Sequence, residues 1–173
     1  DQKIDCVAYG CTSGTVAAGY DVIEKNIKLS KPEAKVTTPI TSAIKALKAF
    51  NINKISVFTP YTKSINDSVL NYFKKENITV NELTYFDIES DLDIGKVDEK
   101  YLIEVLSKIN LEDSEALFVS CTALPVLSII EKLEERLNKI VLSSNQTLIW
   151  DSLNLIGYKD DIEGFGKLFK IST

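Results

Sequence analysis

Two cysteines in this sequence each follow an apolar segment and precede a threonine and a small residue. Cys11 lies in Tyr9-Gly-Cys-Thr-Ser, and Cys121 lies in Val119-Ser-Cys-Thr-Ala. A cysteine just past the carboxyl end of a parallel strand lies where open α/β sheets bind ligands. The free N–H groups of a following helix would lower the thiol pKa and attract a carboxylate. Either cysteine alone could be an ordinary buried residue, but two matching copies favour a nucleophile or proton carrier beside an anion site.

Several kinds of chemistry are excluded by residues that the sequence lacks. It has no histidine, which removes Ser–His–Asp and Cys–His catalysis and every zinc site with a His ligand. The third cysteine, Cys6, lies within an apolar segment and is expected in the core. No C-x-x-C pair, G-x-G-x-x-G loop, Walker loop or calcium loop occurs. We therefore expect no cofactor and no metal site.

The composition indicates a soluble protein. A net charge of −5 argues against a nucleic-acid partner, which requires a concentrated basic surface. No apolar run approaches the roughly 20 residues that cross a bilayer, so no membrane segment is expected. An odd number of cysteines fits a reducing compartment, and we expect a cytoplasmic location. The absence of methionine, including at Asp1, suggests that the natural chain starts earlier.

The elements that would position these cysteines alternate along the chain between apolar strands and amphipathic helices. This order predicts an α/β fold with parallel sheets covered on both faces. The predicted strands are Ile4–Tyr9, Ala34–Thr37, Lys54–Thr59, Ile78–Leu83, Glu115–Ser120 and Lys139–Leu142. The predicted helices are Thr15–Ile27, Ile40–Phe50, Ile65–Phe73, Val97–Ile109, Leu124–Leu137, Ser144–Ile156 and Asp160–Phe169. Because the strand–Cys–Thr–helix pattern occurs twice, the chain is expected to contain two similar halves.

Five blocks of sequence carry a resemblance to a known superfamily. They are Tyr9 to Thr15, Val36 to Leu47, Phe58 to Tyr61, Val119 to Leu124 and Ser143 to Leu153. In this order they resemble the maleate isomerase, arylmalonate decarboxylase and ectoine-utilisation branch of the aspartate/glutamate racemase superfamily. The decarboxylases keep only the second cysteine, so the presence of both resembles the isomerases and racemases.

The resemblance implies two flavodoxin-like lobes with parallel sheets, related by a pseudo-twofold axis, with the substrate between them. Residues 1–38 and 139–173 would form the first lobe, and residues 39–138 the second. Relatives have a strand–helix–strand portion ahead of the first cysteine, so the first lobe is expected to be incomplete here. Self-association into a homo-oligomer is also implied.

The resemblance also implies roles for individual residues. Cys11 would be the nucleophile or first base, and Cys121 the proton donor. The side chains that would hold the carboxylate oxygens are Thr12, Ser13, Tyr61 and Thr122. The implied function is a cofactor-independent isomerase of a small carboxylate or dicarboxylate, similar to maleate cis–trans isomerase. The alternatives are an amino-acid racemase, an arylmalonate-type decarboxylase, and a lobe pair that binds a carboxylate without turnover.

Three features leave alternatives open. Tyr61 could equally cap the sheet after Pro60. Asp91 stands at a substrate-binding position where relatives carry an asparagine, and its carboxylate would repel a dicarboxylate. Ser144, Asn145 and Gln146 open a helix beside the expected cleft, and we interpret them as caps rather than substrate contacts.

Overall fold

A computed structural model describes residues 3–171 of the chain. It contains two sheets in which every pair of neighbouring strands is parallel, as the apolar strand pattern predicts. The strands are β1 (Cys6–Ala8), β2 (Lys35–Thr37), β3 (Lys54–Thr59), β4 (Thr79–Tyr85), β5 (Ala116–Val119) and β6 (Ile140–Ser143). The first sheet has the order β1-β2, and the second has the order β4-β3-β5-β6.

The core of the protein surrounds the four-stranded sheet. All four residues of β5 are buried, as are the last five of β3, because helices cover both faces of these central strands. Phe73 packs edge-on against Phe118 with ring centroids 5.5 Å apart. The two-stranded sheet is more open. Its strand β1 contains Cys6, which is half-buried rather than a core residue.

Eight α-helices connect these strands in the described part of the chain. They are α1 (Thr12–Ala18), α2 (Tyr20–Ser30), α3 (Pro39–Ala49), α4 (Lys63–Lys75), α5 (Asp91–Ile94), α6 (Glu99–Leu106), α7 (Ile130–Leu137) and α8 (Ser144–Leu155). Helix α8 packs along α3 and also contacts β1, β2 and β6. It is therefore the element that ties the two sheets together.

A buried carboxylate fastens α8 to its neighbours. Asp151 accepts hydrogen bonds from the hydroxyl groups of Thr37 and Ser42. It also accepts from the Lys45 ammonium group, at 2.8 and 2.9 Å from its two oxygens. Asp151 is 4% exposed, so these donors replace the water that the carboxylate loses on burial.

Strand β6 pairs with β5, and this differs from the sequence-based division of the chain. That division began the second part of the first lobe at residue 139, whereas residues 140–143 belong to the four-stranded sheet. The chain that follows leaves this sheet, since α8 runs back over β1 and β2. The observed change of sheet therefore comes one strand later than expected.

Three predicted helices differ from the structure. The segment Thr15–Ile27 lies in two helices because Gly19, at φ 85°, interrupts the helical backbone between α1 and α2. In the segment Leu124–Leu137 the α-helix begins only at Ile130, after a 3₁₀ turn. The segment Asp160–Phe169 is mostly irregular and ends in a 3₁₀ turn, Lys167–Lys170.

Candidate active site

Cys11 lies in a tight turn between β1 and α1. The N–H of Tyr9 donates to the Thr37 carbonyl at 2.9 Å, which continues the sheet up to the turn. Cys11 is itself the N-cap of α1, and its sulfur accepts a hydrogen bond from the Gly14 N–H at 3.3 Å. The Ser13 hydroxyl lies 3.7 Å from the same sulfur. The half-buried thiol thus faces a backbone donor and a hydroxyl group.

Two side chains lie close to the Gly14 Cα atom. A Cβ atom there would lie 2.7 Å from the Tyr9 hydroxyl oxygen and 2.9 Å from the Cys11 sulfur. Both distances are shorter than a carbon atom can approach these atoms. The Tyr9 phenol and the Cys11 thiol therefore both lie over the first turn of α1, and a larger residue at position 14 would have to displace them.

Cys121 follows the end of β5 in a strained turn. The N–H of Ser120 donates to the Phe58 carbonyl at 2.8 Å and ends the strand pairing. Cys121 then has a φ of 93°, a region that residues with a Cβ atom adopt only at a cost. No α-helix follows directly, because α7 begins at Ile130. The prediction that both cysteines are followed immediately by a helix is therefore correct for Cys11 and wrong for Cys121.

Burial raises the pKa of the Cys121 thiol, which is 5% exposed. Hydrogen bonds from the N–H groups of Ala123 and Leu124 and from the Tyr61 hydroxyl oppose this increase in pKa, while the Asp91 carboxylate adds to it. The expectation of a lowered pKa at both cysteines is therefore wrong for Cys121. A thiol with a raised pKa is protonated at neutral pH, which suits a proton donor.

Hydrogen bonds join the two cysteine turns directly. The Thr122 hydroxyl donates to the Gly10 carbonyl at 2.8 Å. The Ser144 hydroxyl oxygen accepts from the Cys121 N–H at 3.0 Å and lies 2.9 Å from the Thr12 hydroxyl oxygen. The residues next to both cysteines therefore meet at one place, where β1, β5 and the start of α8 come together.

Tyr61 lies beside Cys121, after the end of β3. Its hydroxyl oxygen accepts a long hydrogen bond of 3.4 Å from Ser120, and its side chain is 4% exposed. Burial is the largest of the effects that raise the Tyr61 pKa, followed by the charge of a Cys121 thiolate. A phenol in this state remains protonated and can act as a donor. The phenol thus lies after the end of β3, next to the Cys121 thiol.

The other sequence-predicted binding residues differ in what they can offer a ligand. Thr12 is buried and bonded to Ser144, whereas Ser13 is half-buried beside the Cys11 sulfur. Thr122 already donates its proton to a backbone carbonyl, so it is not a free donor. Asp91 is exposed at the first position of α5 and influences Cys121 through its charge.

Sequence reasoning missed the place of Ser144. It was expected to cap a helix, but the cap of α8 is Ser143, which forms a reciprocal capping box with Gln146. Ser144 is the first helical residue, and its side chain points instead to the two cysteine turns. The sequence contained a signal for this role, because Ser143 and Ser144 follow each other where β6 ends and α8 begins. A helix requires only one capping hydroxyl, so the other serine hydroxyl is available for a different contact.

Neither a metal cluster nor a membrane-spanning helix occurs among residues 3–171, which are the part of the chain that the structure describes. No group of three or more Cys, Asp or Glu side chains in this range is arranged to hold a metal ion. Within the same range, no helix is both long and apolar enough to span a membrane.

The sequence from residue 21 to residue 169 matches the family model described as arylmalonate decarboxylase. The chain belongs to the arylmalonate decarboxylase family. This family member is also similar to the maleate isomerase of Alcaligenes faecalis. The two share 24% identity over 176 residues, which cover 97% of this chain and 70% of the relative.

Solved structures of maleate isomerases have the same fold as this family member. One of them is the maleate isomerase Iso of Pseudomonas putida S16, solved as a cysteine-to-alanine variant with maleate. Its TM-score is 0.86 and its sequence identity is 21%, and the match covers 96% of this chain and 70% of that one. The Nocardia farcinica maleate cis–trans isomerase, in a cysteine-to-serine mutant with a covalently bound succinylcysteine intermediate, has a TM-score of 0.87. Its identity is 18%, over 95% of this chain and 71% of that one.

Proposed function

We propose that this protein is a cofactor-independent cis–trans isomerase of a small dicarboxylate, with maleate as the model substrate. The observation that carries the proposal is the direct bonding between the two cysteine turns, through Thr122 and Gly10 and through Ser144. This bonding joins the turn of a half-buried thiol, Cys11, to the turn of a buried thiol with a raised pKa, Cys121. Such a pair supplies the nucleophile and the acid that an addition–elimination reaction requires.

In the first half-reaction the Cys11 thiolate adds to one carbon of the double bond. A carbon–sulfur bond forms as the π bond breaks, and the electron pair moves onto the neighbouring carbon and its carboxylate. Cys121 then gives its proton to that carbon, which leaves a succinyl thioether on Cys11. The raised pKa of Cys121 supports this role, because the proton is still present at neutral pH.

In the second half-reaction the new carbon–carbon single bond rotates. The Cys121 thiolate removes a proton from the carbon that was protonated, the double bond re-forms in the trans geometry, and the carbon–sulfur bond breaks. Both cysteines return to their starting states, so no cofactor, oxidant or reductant is consumed. The covalent succinylcysteine in the Nocardia farcinica enzyme supports the same intermediate here.

The carboxylates would be held by hydroxyl groups around the two sulfurs. Ser13 lies beside Cys11, and Tyr61 lies beside Cys121. Thr12 lies between them, bonded to Ser144. The Asp91 carboxylate raises the pKa of Cys121 through its negative charge. The same charge would repel a substrate carboxylate beside Cys121, so it would favour a substrate whose carboxyl group is protonated there.

The proposed setting is the cytoplasm, because the mechanism requires both thiols to be reduced. All three cysteines of the chain are free, which fits a reducing compartment. Association into a homo-oligomer, expected from the superfamily resemblance, is part of the same proposal.

Proton NMR with maleate tests the function directly, since the vinyl signals of maleate and fumarate differ. We expect fumarate to accumulate without any added cofactor. Mass spectrometry of the intact protein should detect an adduct of one maleic acid on wild type or on Cys121→Ser, and none on Cys11→Ser. Replacing either thiol by serine should lower turnover by about 1000-fold or more, because a hydroxyl is far less acidic and no histidine can activate it. Near-normal turnover of Cys121→Ser would exclude the two-cysteine mechanism.

The family model favours arylmalonate decarboxylation as a second candidate. That reaction would need only Cys121 to protonate the carbon from which carbon dioxide has left. It predicts release of carbon dioxide from phenylmalonate by wild type and Cys11→Ser alike, and no isomerisation of maleate. A protein with neither activity would be a carboxylate-binding member without turnover.

A further inference from the structure

The Ser144 side chain bonds to both cysteine turns. It is fully buried at the first position of α8, a helix of 12 residues. Its hydroxyl oxygen accepts the Cys121 N–H at 3.0 Å and lies 2.9 Å from the Thr12 hydroxyl oxygen. Because α8 starts at the carboxyl end of β6 and packs on α3, this hydroxyl is held by elements outside both turns.

We propose that Ser144 is a positioning residue that sets the geometry of both cysteines and prepares Thr12 to donate to the substrate carboxylate. The proposal rests on the proposed function, because it assigns Thr12 to the carboxylate of that reaction. It also makes a statement about the Cys121 backbone that is independent of any substrate.

The direction of the hydrogen bonds follows from counting donors. A serine hydroxyl has one proton and accepts with its lone pairs. Ser144 already accepts from the Cys121 N–H, and within residues 3–171 the only other polar partner of its hydroxyl is Thr12. A buried proton without an acceptor is costly, so Ser144 donates to Thr12. The Thr12 proton is then directed away from Ser144, toward the neighbouring Tyr61 hydroxyl oxygen, from which it can turn to a substrate carboxylate beside Cys11.

The bond from Cys121 to Ser144 also holds the strained turn. With a φ of 93°, Cys121 would relax toward a more common conformation unless neighbouring groups hold it. Its N–H is fixed by Ser144, and the hydroxyl of the next residue, Thr122, is fixed on Gly10. Loss of the Ser144 hydroxyl would therefore release the backbone that aims the Cys121 sulfur.

The test compares Ser144→Ala with Ser152→Ala, which removes a serine hydroxyl from the same helix. The Ser152 hydroxyl donates to the Leu148 carbonyl within α8 and lies away from both turns. For Ser144→Ala we expect the exchange of the Cys121 amide hydrogen, measured by NMR, to become about 10-fold faster relative to the Phe118 amide in β5. We also expect kcat/KM for maleate to fall about 100-fold, because a small displacement of a reacting group is amplified in the rate.

Ser152→Ala should change neither quantity. The proposal is overturned if Ser144→Ala leaves Cys121 exchange unchanged, or if the Cys121 and Phe118 amides accelerate equally, as a general loss of stability would cause. It is also overturned if kcat/KM stays within about twofold of wild type in an active protein. The exchange measurement needs no turnover, so a protein that does not convert maleate would refute the proposed function while this measurement still decides the role of Ser144.

Discussion

Replacement of Cys121 by glycine and by alanine would measure the strain stored in the second cysteine turn. Both variants lack the thiol, so they differ only by the Cβ atom at a residue whose φ is 93°. A residue with a Cβ atom in such a region costs about 1–3 kcal/mol. Against this, alanine gains about 0.8 kcal/mol from one more buried carbon and about 0.5–1 kcal/mol from a less flexible unfolded chain. The two sides nearly balance, so we expect Cys121→Gly to be at least as stable as Cys121→Ala.

A matched pair at Ser120 isolates the strain. Ser120 is also fully buried and is absent from the residues with positive φ, so Ser120→Ala should be more stable than Ser120→Gly by about 1.5 kcal/mol. The difference between the two pairs then equals the strain at Cys121, about 2 kcal/mol. Urea unfolding of the four variants, compared at equal slopes, gives these values. The same glycine-to-alanine difference at both positions would refute the strained turn.

Three further predictions concern reactivity, packing and stability. Iodoacetamide at neutral pH should label Cys11 before Cys121, and labelling of Cys121 should increase only at higher pH. The reason is that Cys121 is 5% exposed and that burial raises its pKa. Equal rates of labelling of the two cysteines, measured by mass spectrometry, would contradict this. Gly14→Ala should lower turnover of maleate about 10- to 100-fold, because the new Cβ would lie 2.7 Å from the Tyr9 hydroxyl and 2.9 Å from the Cys11 sulfur and would displace them. Turnover at the wild-type rate would contradict the importance of their placement for catalysis. Asp151→Leu should destabilise the protein by about 1–3 kcal/mol in urea unfolding, since the Thr37 and Ser42 hydroxyl groups and the half-exposed Lys45 ammonium group lose a shared acceptor. A loss below about 0.5 kcal/mol would contradict that role.

The strands were the part of the fold that the sequence predicts best. All four residues of β5 are apolar, and β3 has Ile55, Val57 and Phe58 among its buried positions, a composition typical of strands that are covered on both faces. The positions of Cys11 and Cys121 followed from these strands, since each cysteine comes directly after one. Whether the two turns meet depends also on the order of the strands in the sheets. Composition alone does not specify that order, so the contact between the turns could not be predicted.

The environment of Cys121 could not be predicted from its motif. The segments Gly-Cys-Thr-Ser and Ser-Cys-Thr-Ala look alike, yet one opens a helix and the other enters an irregular turn. The difference depends on the backbone at Cys121, where a positive φ is imposed by surrounding contacts rather than by the residue type. Burial then dominates the pKa of that thiol, and burial depends on the whole fold. Local sequence therefore predicted the position of the residue but not its protonation.

Helix boundaries failed where a single residue redirects the chain. Gly19 reads as a tolerable position within a helix, but its φ of 85° divides the segment into two helices. Similarly, Pro125 is compatible with a first helical turn, yet the chain forms a 3₁₀ turn before α7 starts at Ile130. In both cases the spacing of apolar residues correctly predicted helical structure, but it does not specify the local backbone conformation that interrupts or delays the helix.

The bonds between the two cysteine turns have a consequence for how the enzyme can move. Any swing that parts the two sheets at this edge must break the bond from Thr122 to Gly10 and the contacts of Ser144 with both turns. Motions that preserve these bonds therefore carry the two cysteine turns together. As long as these bonds hold, a bound molecule meets the two cysteines in one relative placement, and only molecules that fit this placement can contact both.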